Sequence, residues 1–468
     1  MIEGLNGGQM LLGLFIGLAV LFFLVLKTKV HSFVALIIAT VIIGVVGGMP
    51  VNATKLADGN TIGIIKSITS GFGGTLGGIG IIIGFGVILG QIFEMSGAAK
   101  RMAYTFIKLF GKKKEEEAMA ITGFFVSIPI FCDSGFVILS PIAKAIAKVV
   151  NKSVVAIGAA LAAGLVITHT MVPPTPGPLG VAGIFSIDVG TFILINLVLS
   201  IPMVLGVLFY AKTYLNKHFD LVPNDKGFLE KIVGDYNPDA ALNEDDSNLP
   251  SAFMAFTPLV LPILLILMNT ILSALGLKEG IFNIIIFLGQ PIIAVGIGLL
   301  VAIATLIPTV DKETAVKEME KGMASAGIIL LVTGAGGALG QIIKDSGLGT
   351  YIAQGFAAAS IPVVLLPMII ATCVRFIQGS GTVAMITAAG ITAPIVIAAG
   401  ANPMLGAIAC CVGSLFASYF NDSFFWVVNR LLGISQVKDQ LKVWTAPTTI
   451  AWAIGCVEVL ILSVFICP

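Results

Sequence analysis

Four ionisable side chains stand inside long apolar stretches of the sequence: Asp133, His169, Arg375 and Asp422. Asp133 is the clearest case, because it interrupts the apolar run SIPIFCDSGFVILSP at residues 127–141. An ionisable residue at the centre of a bilayer costs about 2.5–3.5 kcal/mol on insertion scales, and such residues usually serve a function. Asp133, His169 and Asp422 can each bind and release a proton, so they are the candidate proton-coupling groups.

Arg375 offers a planar guanidinium that can bind a carboxylate through two parallel hydrogen bonds. Polar and small residues beside the four ionisable groups could complete a site for a hydroxylated anion. With Arg375, the candidate substrate-binding residues are Ser134, Gly135, Thr170, Pro173, Gln378, Gly379, Ser380, Thr382, Asn421 and Ser423. The alternative is that Arg375 neutralises Asp133 or Asp422 in a structural pair, and the sequence leaves both interpretations open.

Each of these residues lies on or beside a predicted break in an apolar helix. The predicted breaks are 132–135, 169–178, 378–382 and 418–423. Non-helical backbone survives at membrane depth only where it is buried in protein or lines a water-filled cavity. Helix N-termini at such breaks direct N–H groups and the positive end of the helix dipole at an anion.

The composition identifies the elements that must hold these residues. Of 468 residues, 57% are hydrophobic and 11% are charged, against about 25% charged in soluble domains. Apolar runs of about 20 residues, each long enough to cross a bilayer, recur along the chain. The sequence therefore predicts an all-α polytopic membrane protein. The net charge of +1 gives no indication of nucleic-acid binding.

Cofactor and metal chemistry find no support in the sequence. The six cysteines lie in apolar segments without ligand-like spacing, so no metal site or disulfide framework is expected. The segments GFGGTLGGIG and GAGGALG resemble nucleotide loops, but they lack the strand–turn–helix context. Close helix packing is their predicted role. We expect neither an enzyme nor a cofactor.

The distribution of the 26 lysine and arginine residues predicts the topology, because loops rich in these residues remain cytoplasmic. It makes 118–148 a re-entrant hairpin entered from the cytoplasm and 361–395 a second hairpin entered from outside. Both termini are predicted on the non-cytoplasmic side. The predicted full crossings are 10–26, 30–49, 76–95, 153–187, 189–211, 252–275, 281–309, 323–343, 404–430 and 445–467.

An internal repeat divides the chain. GVILGQIFEMSG at 86–97 is similar to GGALGQIIKDSG at 336–347, an offset of 250 residues. The predicted parts are an N-terminal transmembrane repeat 1–213, a cytoplasmic linker 214–250 and a C-terminal repeat 251–468. Five crossings plus one hairpin per half make the repeats inverted, each with a re-entrant hairpin and a broken transmembrane helix. This arrangement favours an alternating-access carrier over a channel.

Four motifs resemble one known family. THTMVPPTPGPLG, GSGTVAMITAAGITAP, FNDSFFWVVN and FCDSGFVIL together look like the gluconate permease family of proton symporters, within the ion-transporter superfamily. The resemblance covers nearly the whole chain. It implies proton-coupled uptake of gluconate or a related small sugar acid across a bacterial inner membrane, and a homodimer as a common assembly in the superfamily.

The sequence departs from that family's pattern inside the predicted site. Asp133 and Ser134 stand where glutamate and a small apolar residue are usual, and Thr175 stands where histidine is common. The alternative expectation is the same carrier acting on another small acid, such as glycerate, fructuronate or D-serine, or coupled to sodium.

Overall fold

The chain is described from a computed structural model over residues 6–28, 30–55, 61–110, 113–223, 229–232, 249–277, 279–358, 362–419 and 421–466. Within them the α-helices, α1 to α21 in chain order, are Gly7–Leu26, Ser32–Val46, Ile64–Met95, Ala98–Phe110, Glu115–Val126, Cys132–Val150, Val154–Met171, Pro176–Phe185, Val189–Tyr210, Asn216–His218, Ala252–Ala274, Ile281–Leu288, Pro291–Thr305, Lys312–Asp345, Leu348–Ala358, Leu365–Gln378, Gly381–Ala398, Pro403–Gly413, Ser423–Leu431, Val437–Gln440 and Ala446–Ile466.

The remaining regular elements are small. Two short antiparallel pairs join β1 (Thr54–Lys55) to β2 (Thr61–Ile62) and β3 (Leu221–Pro223) to β4 (Leu229–Lys231). The last pair lies in the predicted linker, whose acidic segment NEDDSN (243–248) falls outside the described residues. The all-α class predicted from composition is confirmed.

Eight helical segments of the described chain are long and apolar enough to cross a membrane, or nine if one bent pair counts as a single span. Ten full crossings were predicted, which is too many by this measure. The bent pair is α12 and α13, which meet at 72° around Gly289–Gln290, so the predicted crossing 281–309 holds only if the two helices form one bent span. Proline at the first position of α13 starts a new helix there without losing a needed N–H.

Two predicted crossings begin earlier than their apolar runs indicate. Helix α3 starts at Ile64 instead of residue 76, and α14 starts at Lys312 instead of 323. The basic residues between the predicted crossings 281–309 and 323–343 therefore lie in the first turns of α14. Asp311 caps this helix, because its carboxylate accepts from the Thr314 N–H at 2.9 Å.

The two glycine-rich segments allow α3 and α14 to pack closely. A Cβ atom on Gly71 would lie 2.5 Å from the Gly337 carbonyl oxygen, and one on Gly337 would lie 2.0 Å from the Thr75 hydroxyl oxygen. Only glycine permits this approach of the two backbones. The packing role predicted for these segments agrees with this contact.

The core lies around α7, in which all eighteen residues are buried. Helices α17 and α18 are nearly as enclosed. Such helices are hydrophobic on every side, as expected for elements surrounded by other helices. They carry the breaks described next, so the candidate site lies inside the helix assembly.

The predicted first break is displaced. Helix α5 ends at Val126 and α6 begins at Cys132, so the turn occupies 127–131 and the predicted break 132–135 is helical. The apolar turn Ile128-Pro129-Ile130 gave no polar signal, whereas Asp133 and Ser134 did. Asp133 instead lies in the first turn of α6, where an acidic residue favours the positive helix end.

The ends of the α5–α6 pair meet. The Lys152 ammonium, just beyond α6, lies 3.1 Å from Glu115 and 2.6 Å from Glu116 at the start of α5. These ion pairs therefore join the start of α5 to the end of α6, and the turn 127–131 lies at the other end of the two helices.

The other three breaks are present. Helices α16 and α17 are separated by Gly379 and Ser380, α7 and α8 by residues 172–175, and α18 and α19 by residues 414–422. The last is wider than the predicted 418–423. A π-helical turn, Leu441–Thr445, precedes α21 beside this wide break.

Candidate functional site

The breaks converge on one cavity of about 270 Å³, called the site cavity. It brings together eleven of the fourteen candidate residues: Asp133, His169, Thr170, Arg375, Gln378, Gly379, Ser380, Thr382, Asn421, Asp422 and Ser423. These residues come from five helices and two breaks that are up to 290 residues apart in sequence. Because they are so far apart in sequence, it is the fold that brings them together.

Three helix N-termini face the site cavity. Helix α6 begins at Cys132, α17 at Gly381 and α19 at Ser423, and all three residues line it. The first N–H groups of a helix have no partner within that helix, and the dipole is positive at this end. Three such ends make the cavity suitable for an anion.

Arg375 and Asp422 form a buried ion pair in the wall of the cavity. Arg375 Nη2 donates to Asp422 Oδ2 at 2.5 Å, and the two side chains are 5% and 9% exposed. The Ser418 hydroxyl donates to the same oxygen, and Asp422 Oδ1 accepts from the Phe424 N–H at 3.1 Å. Trp444 Nε1 donates to the Ser418 hydroxyl at 2.8 Å. The Asp422 carboxylate is thus fully engaged.

The guanidinium of Arg375 retains unused hydrogen-bonding capacity. Its Nε is buried and has no hydrogen-bond partner within the described chain. Nη1 lies near Gly381, where an added Cβ would be 3.9 Å away. Of the interpretations left open by the sequence, the pair with Asp422 is present, yet the remaining donors can still bind a carboxylate.

Asp133 has weaker contacts than Asp422. Its Oδ1 accepts from the Ser423 hydroxyl at 3.2 Å, and its Oδ2 lies 3.7 Å from the Cys132 thiol. No cation contacts Asp133 in the described part of the chain. The hydrogen bond to Ser423 joins the first turns of α6 and α19, one from each half of the sequence.

His169 lies in the last turn of α7, against the aromatic ring of Phe131 with ring centroids 5.5 Å apart. Its Nδ1 is buried and has no partner within the described residues. Thr170 follows it and also lines the cavity. An unsatisfied ring nitrogen beside a cavity can accept or donate one hydrogen bond to a bound molecule, depending on its tautomer.

The loop between α16 and α17 is held by backbone contacts. Gly379 has φ +86°, and a Cβ there would lie 2.1 Å from the Asn421 carbonyl oxygen. The Asn421 amide donates to the Phe376 carbonyl at 3.0 Å, and the Gln378 amide donates to the Ser32 hydroxyl at 2.6 Å. Glycine is required at 379 by both the left-handed backbone and this close approach.

Three candidate residues lie outside the site cavity: Ser134, Gly135 and Pro173. Gly135 is buried against α7, and a Cβ there would lie 2.7 Å from Leu165 Cδ2, so it permits helix packing. Ser134 lies on α6 beyond the residues that line the cavity, and Pro173 lies in the turn after α7 in a cis peptide bond with Pro174. These three residues were candidates because they lie at predicted breaks. Successive residues of a helix point in different directions, so Ser134 and Gly135 on α6 do not line the cavity as Asp133 does.

Six residues that line the site cavity were not predicted from the sequence: Cys132, Val166, Gly381, Ser414, Leu415 and Phe424. Val166 lies three and four residues before His169 and Thr170, so helical spacing could have identified it. Ser414 and Leu415 belong to the part of the break that was not predicted. Glu458, in the apolar helix α21, was also overlooked, and its Oε2 is buried without a partner among the described residues.

No group of three or more histidine, cysteine, aspartate or glutamate residues that could hold a metal ion is present in the described ranges. The charged groups that line the site cavity are two carboxylates and one guanidinium, with one histidine. The arrangement can bind an anion and exchange a proton.

Comparison with known proteins shows which family the chain resembles. Residues 9–465 match the model of the GntP family permease. An uncharacterized permease of Haemophilus influenzae is 48% identical over 97% of this chain and 92% of its own length. A gluconate permease of Pseudomonas aeruginosa is 35% identical over 96% and 95%.

The fold also resembles that of a solved transporter. The YdaH transporter of Alcanivorax borkumensis superposes with a TM-score of 0.65 over 93% of this chain and 98% of its own, at 16% identity. That identity supports the fold alone. Because the family model matches almost its entire length, the chain belongs to the GntP family of permeases, whose members are transporters and not enzymes.

Proposed function

We propose that this permease carries gluconate or a related small sugar acid into the cell together with a proton, by alternating access. The observation that carries the proposal is that the Arg375 guanidinium binds Asp422 through Nη2 and leaves Nε without a partner among the described residues, in a cavity faced by three helix N-termini. A carboxylate on the substrate would bind the free Arg375 donors and the positive helix ends. Its hydroxyl groups would bind Gln378, Ser380, Thr382, Asn421 and Ser423.

The charge balance of the cavity supports coupling to a proton. Asp133 and Asp422 face one arginine, so an anionic substrate adds a second uncompensated negative charge if both carboxyl groups are ionised. Like charges held close together in a partly dry site repel strongly. Protonation of one carboxyl group restores the balance, and Asp133 is the proposed group because Asp422 is bound to Arg375.

The proposed transport cycle uses two inverted repeats, 1–213 and 251–468, joined by the linker 214–250. The closed end of the α5–α6 pair at Lys152 supports a first re-entrant hairpin. Helices α16 and α17 would form the second, although α17 is by length alone a candidate span. The same order, a long helix, a short helix, two arms and a broken helix, occurs in both halves.

We further propose a bacterial inner membrane as the location, with both termini on the non-cytoplasmic side, and a homodimer as the assembly. D-Serine is the second candidate substrate. Asp133, which contacts no cation in the described part of the chain, could bind the ammonium group of an amino acid while Arg375 binds its carboxylate. Glycerate, fructuronate and coupling to sodium are further alternatives that the same assay distinguishes.

The test is uptake of labelled gluconate into proteoliposomes, with an inward proton gradient and no sodium. We expect wild type to accumulate gluconate until an uncoupler is added, and Asp133→Asn to retain only downhill exchange. Ser134→Ala, which changes the neighbouring residue outside the site cavity, is the matched control and should accumulate normally. Full accumulation by Asp133→Asn would reject Asp133 as the coupling group.

A panel of unlabelled acids identifies the substrate in the same vesicles. Competition by gluconate and related sugar acids at low concentration supports the proposal. Absence of gluconate uptake by wild type, with uptake of D-serine or a requirement for sodium, would contradict it.

A further inference from the structure

A second polar cavity, of about 400 Å³, lies towards the other end of α17, the one helix of the described chain whose residues line both cavities. We call it the distal cavity. Helix α17 begins at the site cavity with Gly381 and reaches the distal cavity with Ala393. Twelve residues of helix separate these positions by roughly 18 Å. The two cavities are therefore far enough apart to hold separate molecules.

The glycine-rich segments of α3 and α14 form one wall of the distal cavity. Gly74 of α3 leaves open space there, since a Cβ on it would meet nothing within 4 Å. Polar side chains surround this space: Ser70, Thr75, Ser186, Gln341, Lys344 and Thr350. Gln341 belongs to the Leu-Gly-Gln motif that marks the internal repeat, so the repeated segment contributes to the cavity directly.

Lys344 places a cation without an acidic partner at this cavity. The adjacent carboxylate, Asp345, accepts from the Ser67 hydroxyl at 2.6 Å and from the Gln341 amide at 2.8 Å. No carboxylate of the described residues lies within ion-pair distance of Lys344. Its ammonium is thus available to an anion in the cavity, beside hydroxyl groups.

An apolar barrier separates the two cavities. Met385 and Ile386 of α17 are fully buried between them. A Cβ on Gly177 would lie 2.8 Å from Met385 Sδ, and a Cβ on Gly336 would lie 2.7 Å from Ile386 Cγ2. The side chains are packed onto the glycines of α8 and α14, which leaves no room for a solute between the cavities in this conformation.

We propose that the distal cavity is a second anion-binding chamber on the transport route, in which Lys344 binds the carboxylate of a small hydroxylated acid. The inference rests on the proposed function, because it assigns the same substrate class to this chamber. The substrate occupies the distal cavity on the side of the barrier opposite to the site cavity. Movement of Met385 and Ile386 away from the glycines of α8 and α14 connects the two.

The first test is independent of which acid is transported. Ser70→Cys introduces a thiol into the distal cavity. Thr69→Cys introduces one on the preceding residue of α3, which is exposed but does not line the distal cavity. Both react with methanethiosulfonates that carry either a sulfonate or an ammonium group. Peptide mass spectrometry reads the labelling at residue 69 or 70, so the native cysteines remain in place.

After each rate is divided by the rate of the same reagent with a free thiol in solution, we expect the Ser70→Cys thiol to react at least about threefold faster with the anionic reagent than with the cationic one, because a cation in a cleft concentrates anions. Adding Lys344→Gln should remove this preference, Lys344→Arg should keep it, and high salt should weaken it. A preference that survives Lys344→Gln, or an equal preference at Thr69→Cys, overturns the proposal.

Gluconate then tests the ligand. Protection of Ser70→Cys by gluconate, together with a several-fold higher KM for uptake in Lys344→Gln, supports the chamber and its substrate. A Lys344-dependent anion preference in a protein that does not take up gluconate supports the chamber and contradicts the proposed function alone. Normal gluconate KM in Lys344→Gln, with no protection at residue 70, overturns the chamber while the proposed function stands.

Discussion

Arg375 and Asp422 are ion-paired across the ends of two helices, with Nη2 of the arginine 2.5 Å from Oδ2 of the aspartate. The pair joins the last turn of α16 to the N-cap of α19, 47 residues later in the sequence. It uses one end of the guanidinium and leaves Nε without a partner among the described residues. The same arginine therefore stabilises the wide break and presents donors to the cavity.

Replacing Arg375 by lysine should weaken substrate binding while preserving the charge. A lysine ammonium cannot form the planar fork, so it cannot bind Asp422 and a substrate carboxylate as Arg375 does. Loss of hydrogen bonds to charged groups costs about 1.5–3 kcal/mol each, which corresponds to a KM for gluconate at least about tenfold higher. Uptake kinetics in proteoliposomes measure this change. Arg430→Lys, at an exposed arginine over Trp426, should leave KM unchanged.

Replacing Asp422 by asparagine should affect stability more than Asp133→Asn does. Asp422→Asn leaves the guanidinium of Arg375 buried without a counter-charge, which typically costs about 3–5 kcal/mol. Asp133 has no cation partner in the described chain, so its replacement removes only the weaker contacts to Ser423 and Cys132. Thermal unfolding in detergent should show a clear decrease in Tm for Asp422→Asn alone. Equal losses would contradict the different roles assigned to the two carboxyl groups.

Trp444→Phe should impair substrate binding from outside the cavity. Trp444 Nε1 donates to Ser418, which donates to Asp422, so the π-helical turn before α21 positions the ion pair. Loss of this bond should raise KM for gluconate several-fold, in line with about 1 kcal/mol for a hydrogen bond, with little change in maximal rate. Trp452→Phe is the matched control, since its Nε1 donates to Thr372 on α16 and not to Ser418. A larger KM effect in Trp452→Phe would show that loss of tryptophan packing, and not the Ser418 bond, is responsible.

Lys152→Met should destabilise the α5–α6 pair. Lys152 contacts Glu115 and Glu116, and the Glu116 side chain is fully buried, so removing the ammonium takes away the cation that faces a buried carboxylate, at a cost of about 3–5 kcal/mol. Lys212→Met breaks a more exposed pair with Glu117 on the same helix and should cost less than about 1 kcal/mol. Chemical denaturation of both variants provides the comparison, and equal effects would contradict the burial argument.

The pH dependence of this interaction has a defined sign. Burial lowers the pKa of Lys152, but the carboxylates of Glu116 and Glu115 outweigh that effect, so its pKa is raised above the usual 10.5. The folded protein therefore binds this proton more tightly than the unfolded chain does. The stabilisation is fully present below pH 10.5 and is lost as the pH rises through the folded value. The difference in stability between wild type and Lys152→Met should stay constant from pH 6 to 9.

The break positions show why sequence reasoning succeeded in some places and failed in others. Gly379 and Ser380 predict their turn, because glycine commonly ends a helix and serine commonly caps the start of the next one. The first turn, 127–131, has no glycine, and its Ser127 is the C-cap of α5 and not an N-cap, so Asp133 was mistaken for the tip of the turn. An acidic residue in the first turn of a helix and one in the loop before it look alike in the sequence, because both favour the positive end of the helix.

The sequence by itself determined the all-helical membrane class, the family and most of the residues that line the site cavity, because apolar length and the cost of intramembrane charge are local properties of the chain. Only the tertiary structure decided that Arg375 pairs with Asp422 and that Ser423, rather than a cation, contacts Asp133. It also decided that the glycine-rich segments border a second cavity beside Lys344. These are contacts between helix ends far apart in sequence, and which ends meet depends on the packing of all the helices together.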